Sequence, residues 1–207
     1  MSPKNEPSGR KRRSFIEEAR RAQIVEAAAL VVAEAGYANA SLSRIAERAG
    51  ISKSVITYHF SGKDDLLRTV VTGFFDRVWT HMEARISAEP TALGQVRAWI
   101  GAQLEYFAAH RTEFLAMIEI VAGHRTADGA PAFAAETAEE VDGLAEILAR
   151  GQRDGEFRAF EPRTVANIIL RCADGVLGSW ADDGAVDLPA QSAALLDFID
   201  HAVRSGP

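Results

Sequence analysis

The chain has a single cysteine, Cys172, which excludes an intramolecular disulfide and a thiolate zinc site, and fits a reducing compartment. It lacks any run of about 18 apolar residues that could span a bilayer. The basic start leads into polar sequence rather than an apolar signal core, so a soluble, cytoplasmic protein with no membrane partner is expected. There is no glycine-rich phosphate loop, no nucleophile elbow and no cluster of metal-ligating residues. Glu119 and His124, five apart, have a poor helical spacing for shared ligation. Neither an enzyme nor a bound cofactor or metal is therefore expected.

Lysine is also scarce, and all four lysines fall within the first 63 residues. That segment holds eleven basic residues against six acidic ones, a net charge of +5. Because the whole chain carries −6, the remainder carries −11. A basic head on an acidic body suits one polyanionic partner held at one end. With 47% hydrophobic residues in 207, the chain has enough apolar surface for a sizeable core.

Residues 1–14 mix Pro3, Pro7 and Gly9 with the basic run Arg10 to Arg13 and have almost no apolar content, so a disordered basic arm is expected. From Ile24 the residues Ala28, Val31, Val32 and Ala35 recur at helical spacing, and Gly36 stands where a left-handed terminus belongs. Ser41 is placed to cap a second short helix with Leu42, Ile45, Ala46 and Ala49 inward, and Gly50 supplies the next turn. Ser52 is placed to cap a third, from Lys53 to about Phe60. Ser61 with Asp64 reads as a capping box opening a long fourth helix that Glu89-Pro90 ends. Further helices are expected near 93–110, 113–121, 131–153, 163–181 and 189–204, separated by turn-rich breaks. Phe157 and Phe160 alternate with polar neighbours, a pattern too short for a sheet. The expected fold is all-α, about nine helices: a three-helix head over residues 15–63 and a larger body over 64–207.

Two short helices joined by a glycine turn form a helix-turn-helix, whose second helix enters the major groove of DNA. The segment from Ser41 through Ala46, Ala49-Gly50-Ile51-Ser52, Tyr58-His59-Phe60 and Lys63 to Leu66-Leu67 resembles the DNA-binding head of the TetR (tetracycline-repressor) family. The likeness is strong over about residues 20–67 and rests elsewhere on length and helical layout. It implies a homodimeric regulator of transcription, most simply a repressor released from a palindromic double-stranded operator by a small-molecule effector whose identity the sequence does not give.

Helical phase places Ile56 and Phe60 inward and Ser54 and Tyr58 outward, with Val55 and Thr57 on the flanks. Ser41 and Ser52 present helix N-termini suited to phosphate oxygens, and Lys63 matches the family's phosphate-contacting lysine. His59 has two readings, a structural histidine or a backbone-phosphate donor. The expected DNA-facing set is Ser41, Ser43, Arg44, Ser52, Lys53, Ser54, Val55, Thr57, Tyr58, His59 and Lys63. Thr57 stands where the family usually has tyrosine, Val55 where threonine is frequent and Ser43 where arginine is frequent. Polar base readout is thinner as a result, and the arginine run Arg10 to Arg13 is a candidate for additional backbone or minor-groove contact.

In the body, Trp99, Gln103, Phe107, Phe114, Met117, Phe133 and Asp174 are candidates for lining an effector cavity, an ordinary bundle core being the plainer account. Gly175, Gly178, Leu195, Phe198 and Ile199, on the last two long helices, are candidates for a four-helix dimer interface, with a monomer core as the alternative for the apolar members. The competing functional reading is a helical small-molecule-binding protein with little or no specific DNA binding.

Overall fold

The computed structural model describes the backbone of residues 8–205 and the side chains of 15–205. Among these are nine α-helices: α1 (Ser8–Ala35), α2 (Leu42–Ala49), α3 (Lys53–His59), α4 (Lys63–Ala88), α5 (Ala92–Ala109), α6 (Arg111–Gly123), α7 (Ala134–Arg153), α8 (Pro162–Asp182) and α9 (Leu188–Val203). A 3-10 turn, Tyr37–Asn39, joins α1 to α2. The all-α expectation holds. None of the described helices is long and apolar enough to cross a membrane.

The chain forms two compact units, Met1–Phe74 with Thr112–His124, and Phe75–Arg111 with Arg125–Pro207. In the first, α1 turns Ile24, Ala28, Val31 and Val32 inward, the i, i+4, i+7, i+8 stripe of an amphipathic helix. Against it pack α2, through Ile45 and Ala46, and in turn α3. Leu66, Leu67, Val70, Val71 and Phe74 of α4 and Phe114, Ala116, Met117 and Ile120 of α6 are also buried in this unit. The second unit is a bundle in which α5 packs on α7, α8 and α9, and α8 on α7 and α9.

Several local expectations are corrected. Helix α1 begins at Ser8, so Arg10 to Arg13 lie within its first turns rather than in a separate arm; arginine and lysine are good helix formers, and the helix downstream propagates back into them. Residues 1–7 lie outside the described ones. Gly36 has φ 78 and ψ 161, the mirror of the extended region rather than a left-handed helical cap. Helix α4 starts at Lys63, and the carboxylate that accepts the Ser61 N–H is Asp65, at 2.8 Å, instead of Asp64. The Phe157 segment, expected to be too short for a sheet, makes only an isolated antiparallel bridge with Arg204 among the described residues. Arg158 N–H donates to the Val203 carbonyl at 3.0 Å and Ser205 N–H to that of Glu156 at 3.2 Å, which ties the chain's end to the second unit.

Candidate DNA-binding surface

The two short helices are set by their ends. Ser41 Oγ accepts the Arg44 N–H at 3.3 Å, satisfying one of the N–H groups a helix start leaves open. After α2, Gly50 takes φ 65, ψ 34, and its N–H and that of Ile51 bond back to the Glu47 and Ala46 carbonyls at 3.1 and 3.0 Å. This is a left-handed terminus that glycine enters without steric cost. Ser52 occupies the cap position of α3 without making the cap bond. Its Oγ lies 2.8 Å from that of Ser54 instead, so the expected side-chain cap is replaced by a hydroxyl pair.

Helix α3 buries Ile56 completely, and Phe60 is 2% exposed, each stabilising by about 1.5–3 kcal/mol. Lys53, Ser54, Thr57 and Tyr58 are exposed and share one face at i, i+1, i+4 and i+5. Val55 and His59 are half-buried. Thr57 Oγ1 donates to the Ser54 carbonyl at 3.2 Å. Tyr58 is 76% exposed, its ring edge-on to that of His59 at 5.0 Å. The exposed face thus carries one cation, three hydroxyls and an aromatic ring. Ser41, Ser43, Arg44 and Ser52 are exposed nearby in sequence, and Arg44 also donates to the Asn39 carbonyl at 3.2 Å.

Lys63 is more committed than the others. Its ammonium donates to the Tyr37 carbonyl at 2.8 Å and sits over the Tyr37 ring, 4.5 Å from the centroid. Burial pushes its pKa below the usual lysine value, opposed by the Asp64 charge. An ammonium has three N–H donors, and one of them is spent on this tie.

Sequence reasoning missed the residues that hold this surface in place. Arg21, on α1, donates to the His59 carbonyl and stacks over Phe60, 4.2 Å from its centroid. Gln23 donates to the Ala49 carbonyl at 2.8 Å. Tyr37 is a hub: its N–H donates to Glu119 Oε2 at 3.2 Å and its hydroxyl shares a hydrogen bond with His124 Nδ1 at 3.1 Å. Burial, then the Asp64 charge, raises the Tyr37 pKa. Asp64 Oδ1 lies 3.8 Å from the buried His124. A Cβ at Gly123 would stand 2.5 Å from the Tyr37 ring, so α6 closes on Tyr37 only where it carries no side chain. These partners are 26 to 87 residues apart and left no local signal.

Of the cavity candidates, Phe114 and Met117 are buried in the first unit, while Trp99, Gln103, Phe107 and Phe133 are buried in the second. Asp174 is exposed and ion-paired with Arg171 at 3.0 Å. Trp99, Gln103 and Phe107 follow one another at i, i+4 and i+8 on one face of α5, and Phe114 and Met117 at i, i+3 on α6. Of the interface candidates, Leu195 and Ile199 are buried within the protomer, whereas Phe198 is 58% exposed. A Cβ at Gly175 or Gly178 would meet nothing within 4 Å among the described residues. Ile168, not foreseen, is 51% exposed on the neighbouring α8.

A capped helix, a left-handed glycine turn and a second helix presenting a polar face define a helix-turn-helix protein. Residues 24–70 match the family model described as "Bacterial regulatory proteins, tetR family". Among curated proteins, the chain is 29% identical over 91 residues to the HTH-type transcriptional regulator BetI of Paraburkholderia phymatum, covering 44% of this chain and 46% of that one. The match thus spans less than half of that relative's length. The fatty acid metabolism regulator protein of Bacillus subtilis is 25% identical over 194 residues, covering 88% of this chain and 95% of that one. A crystal structure of a TetR-family transcriptional regulator from Rhodococcus superposes with a TM-score of 0.78 at 23% identity, over 88% of this chain and 98% of that one. Over residues 24–70 the chain is thus similar to the DNA-binding head of the TetR family, and its fold is that of the solved TetR-family regulator.

Proposed function

We propose that the protein is a DNA-binding regulator of transcription that acts as a homodimer on a palindromic operator and responds to a small-molecule effector, most simply as a repressor. The observation that carries this reading is the exposed face of α3, with Lys53, Ser54, Thr57 and Tyr58 turned outward by the burial of Ile56 and Phe60. Hydroxyl groups and a tyrosine suit phosphate and base edges, and the cation suits phosphate. The net +5 of the first 63 residues supplies the matching field. Ser41, Ser43, Arg44, Ser52, Val55, His59 and Lys63 border this face as supporting contacts. One head reads one half-site, so two are needed for a palindrome; exposed Ile168 on α8 and Phe198 on α9, with the open Gly175 and Gly178, are the surface proposed to pair. Cytoplasmic location and the absence of catalysis follow from the same reading.

Fluorescence anisotropy on duplexes from the region upstream of the protein's own gene tests it. Specific binding at least a hundredfold tighter than to scrambled DNA is expected, with one dimer per site. Binding no tighter than to scrambled DNA would favour the reading as a helical small-molecule-binding protein.

A further inference from the structure

The α5/α7/α8 seam of the second unit holds an incomplete polar cluster. Trp99 and Gln103 lie one turn apart on α5, 4% and 6% exposed. Both face α7: the Trp99 ring lies 3.0 Å from where a Cβ on Gly143 would be, and Gln103 Nε2 donates to Glu140 Oε1 at 2.8 Å. Two atoms of this pair have no hydrogen-bond partner among the described residues, the Trp99 indole N–H and Gln103 Oε1. A buried polar atom left unpaired costs roughly 1–3 kcal/mol, so the seam is organised for something that completes it.

Charge points to what that is. Glu140 and Asp174 interact electrostatically, and Arg171 is the cation that acts on both. Its guanidinium is engaged with Asp174 at 3.0 Å, so the three groups together carry one uncompensated negative charge. Burial pushes the Glu140 carboxyl above its ordinary range, Asp174 adds to the rise, and the Gln103 hydrogen bond opposes it. A half-buried carboxylate whose hydrogen-bond partner is a neutral amide gains most from a cation placed beside it. Gln103 Oε1 is an unused acceptor for an N–H donor. Trp99 and Trp79, edge to face at 5.4 Å, offer π faces to a cation, and the indole N–H accommodates an oxygen on the same molecule.

We infer that the seam formed by Trp99, Gln103 and Glu140 binds an organic ammonium compound, whose N–H groups bond Gln103 Oε1 and Glu140 and whose apolar part lies against the tryptophans. This rests on the ligand-responsive reading above and assigns its effector a chemical class.

The test uses the full chain and three probes of equal length, octylammonium, 1-octanol and octanoate, with affinity read by calorimetry and tryptophan fluorescence. Octylammonium is expected to bind at least tenfold tighter than either other probe. Glu140→Gln should remove most of that preference while changing octanol affinity less than threefold, and Gln103→Leu should weaken octylammonium several-fold. Equal or tighter binding of octanoate or octanol, binding of none of the three, or a preference that survives Glu140→Gln each overturns the inference. Anisotropy with duplex DNA separates the two proposals: octylammonium that binds without altering DNA affinity sinks ligand responsiveness and leaves the cation site standing. Release of DNA by octanoate alone does the reverse.

Discussion

Replacing Gly50 by alanine isolates the backbone contribution of the turn between α2 and α3. Gly50 sits at φ 65, and a Cβ there would meet nothing within 4 Å among the described residues, so no steric clash with them confuses the result. Placing an L-residue in the left-handed region costs about 1–2 kcal/mol. The alanine also stiffens the unfolded chain, returning about 0.4–1 kcal/mol. The net loss is therefore about 1 kcal/mol. For a protein of this size that corresponds to a fall in Tm of about 2–4 °C, when the unit containing the turn limits unfolding. Urea titration followed by far-ultraviolet circular dichroism, with amide exchange of residues 42–59 as the local readout, measures it. Asparagine tolerates the left-handed region, so Gly50→Asn should lose less than Gly50→Ala. Unchanged or higher stability in the alanine variant, or equal losses in both, would refute the backbone argument.

Ile56→Ala empties a fully buried position and is expected to cost about 2–5 kcal/mol, read by denaturation, with loss of DNA binding. Tyr58→Ala, at an exposed side chain, should leave stability within about 0.5 kcal/mol while changing affinity for specific DNA more than for scrambled DNA in competition anisotropy. Lys63→Ala should lower affinity for all sequences alike and reduce the salt slope by about one; loss of the Tyr37 tie predicts an accompanying stability loss that a mere surface lysine would not show. The Glu140 carboxyl is raised in the folded protein, so the folded state holds that proton more tightly than the unfolded chain. Stability should consequently fall as pH rises from the ordinary carboxylate range through the raised value. Glu140→Gln should flatten that part of the profile and unfold at higher temperature than the parent at pH 7 in thermal melts.

Much of the fold was legible because its signals are local. Gly50, Ser41 and the Ile56/Phe60 phase are decided within a turn or two of chain, and the structure places them as the spacing implied. Choices between near-equivalent partners were not legible: Asp65 rather than Asp64 accepts the Ser61 N–H, and Ser52 Oγ lies by Ser54 Oγ, because each pair of options lies within a residue or two. Contacts made across the chain were invisible, Tyr37 with Glu119 and His124 above all. Glu140 is an intermediate case. It lies one turn before Leu144 and two before Ile147, both buried, so a carboxylate on the apolar stripe of α7 could have been noticed from helical phase alone.

The confinement of every lysine to the first 63 residues makes the ε-amines a chemical address for the head. An acylating reagent, or an acetyltransferase in the cell, finds no lysine to modify anywhere in the second unit. Within the head, Lys53 is open to solvent, while Lys63 has its nitrogen tied to a carbonyl and a ring face. Neutralising Lys53 erases the one cation on the outward face of α3. Acylating Lys63 first requires breaking its hold on Tyr37. Differential labelling of these two amines, with and without a duplex, thus gives a footprint of the DNA-binding surface that nothing in the body can contaminate.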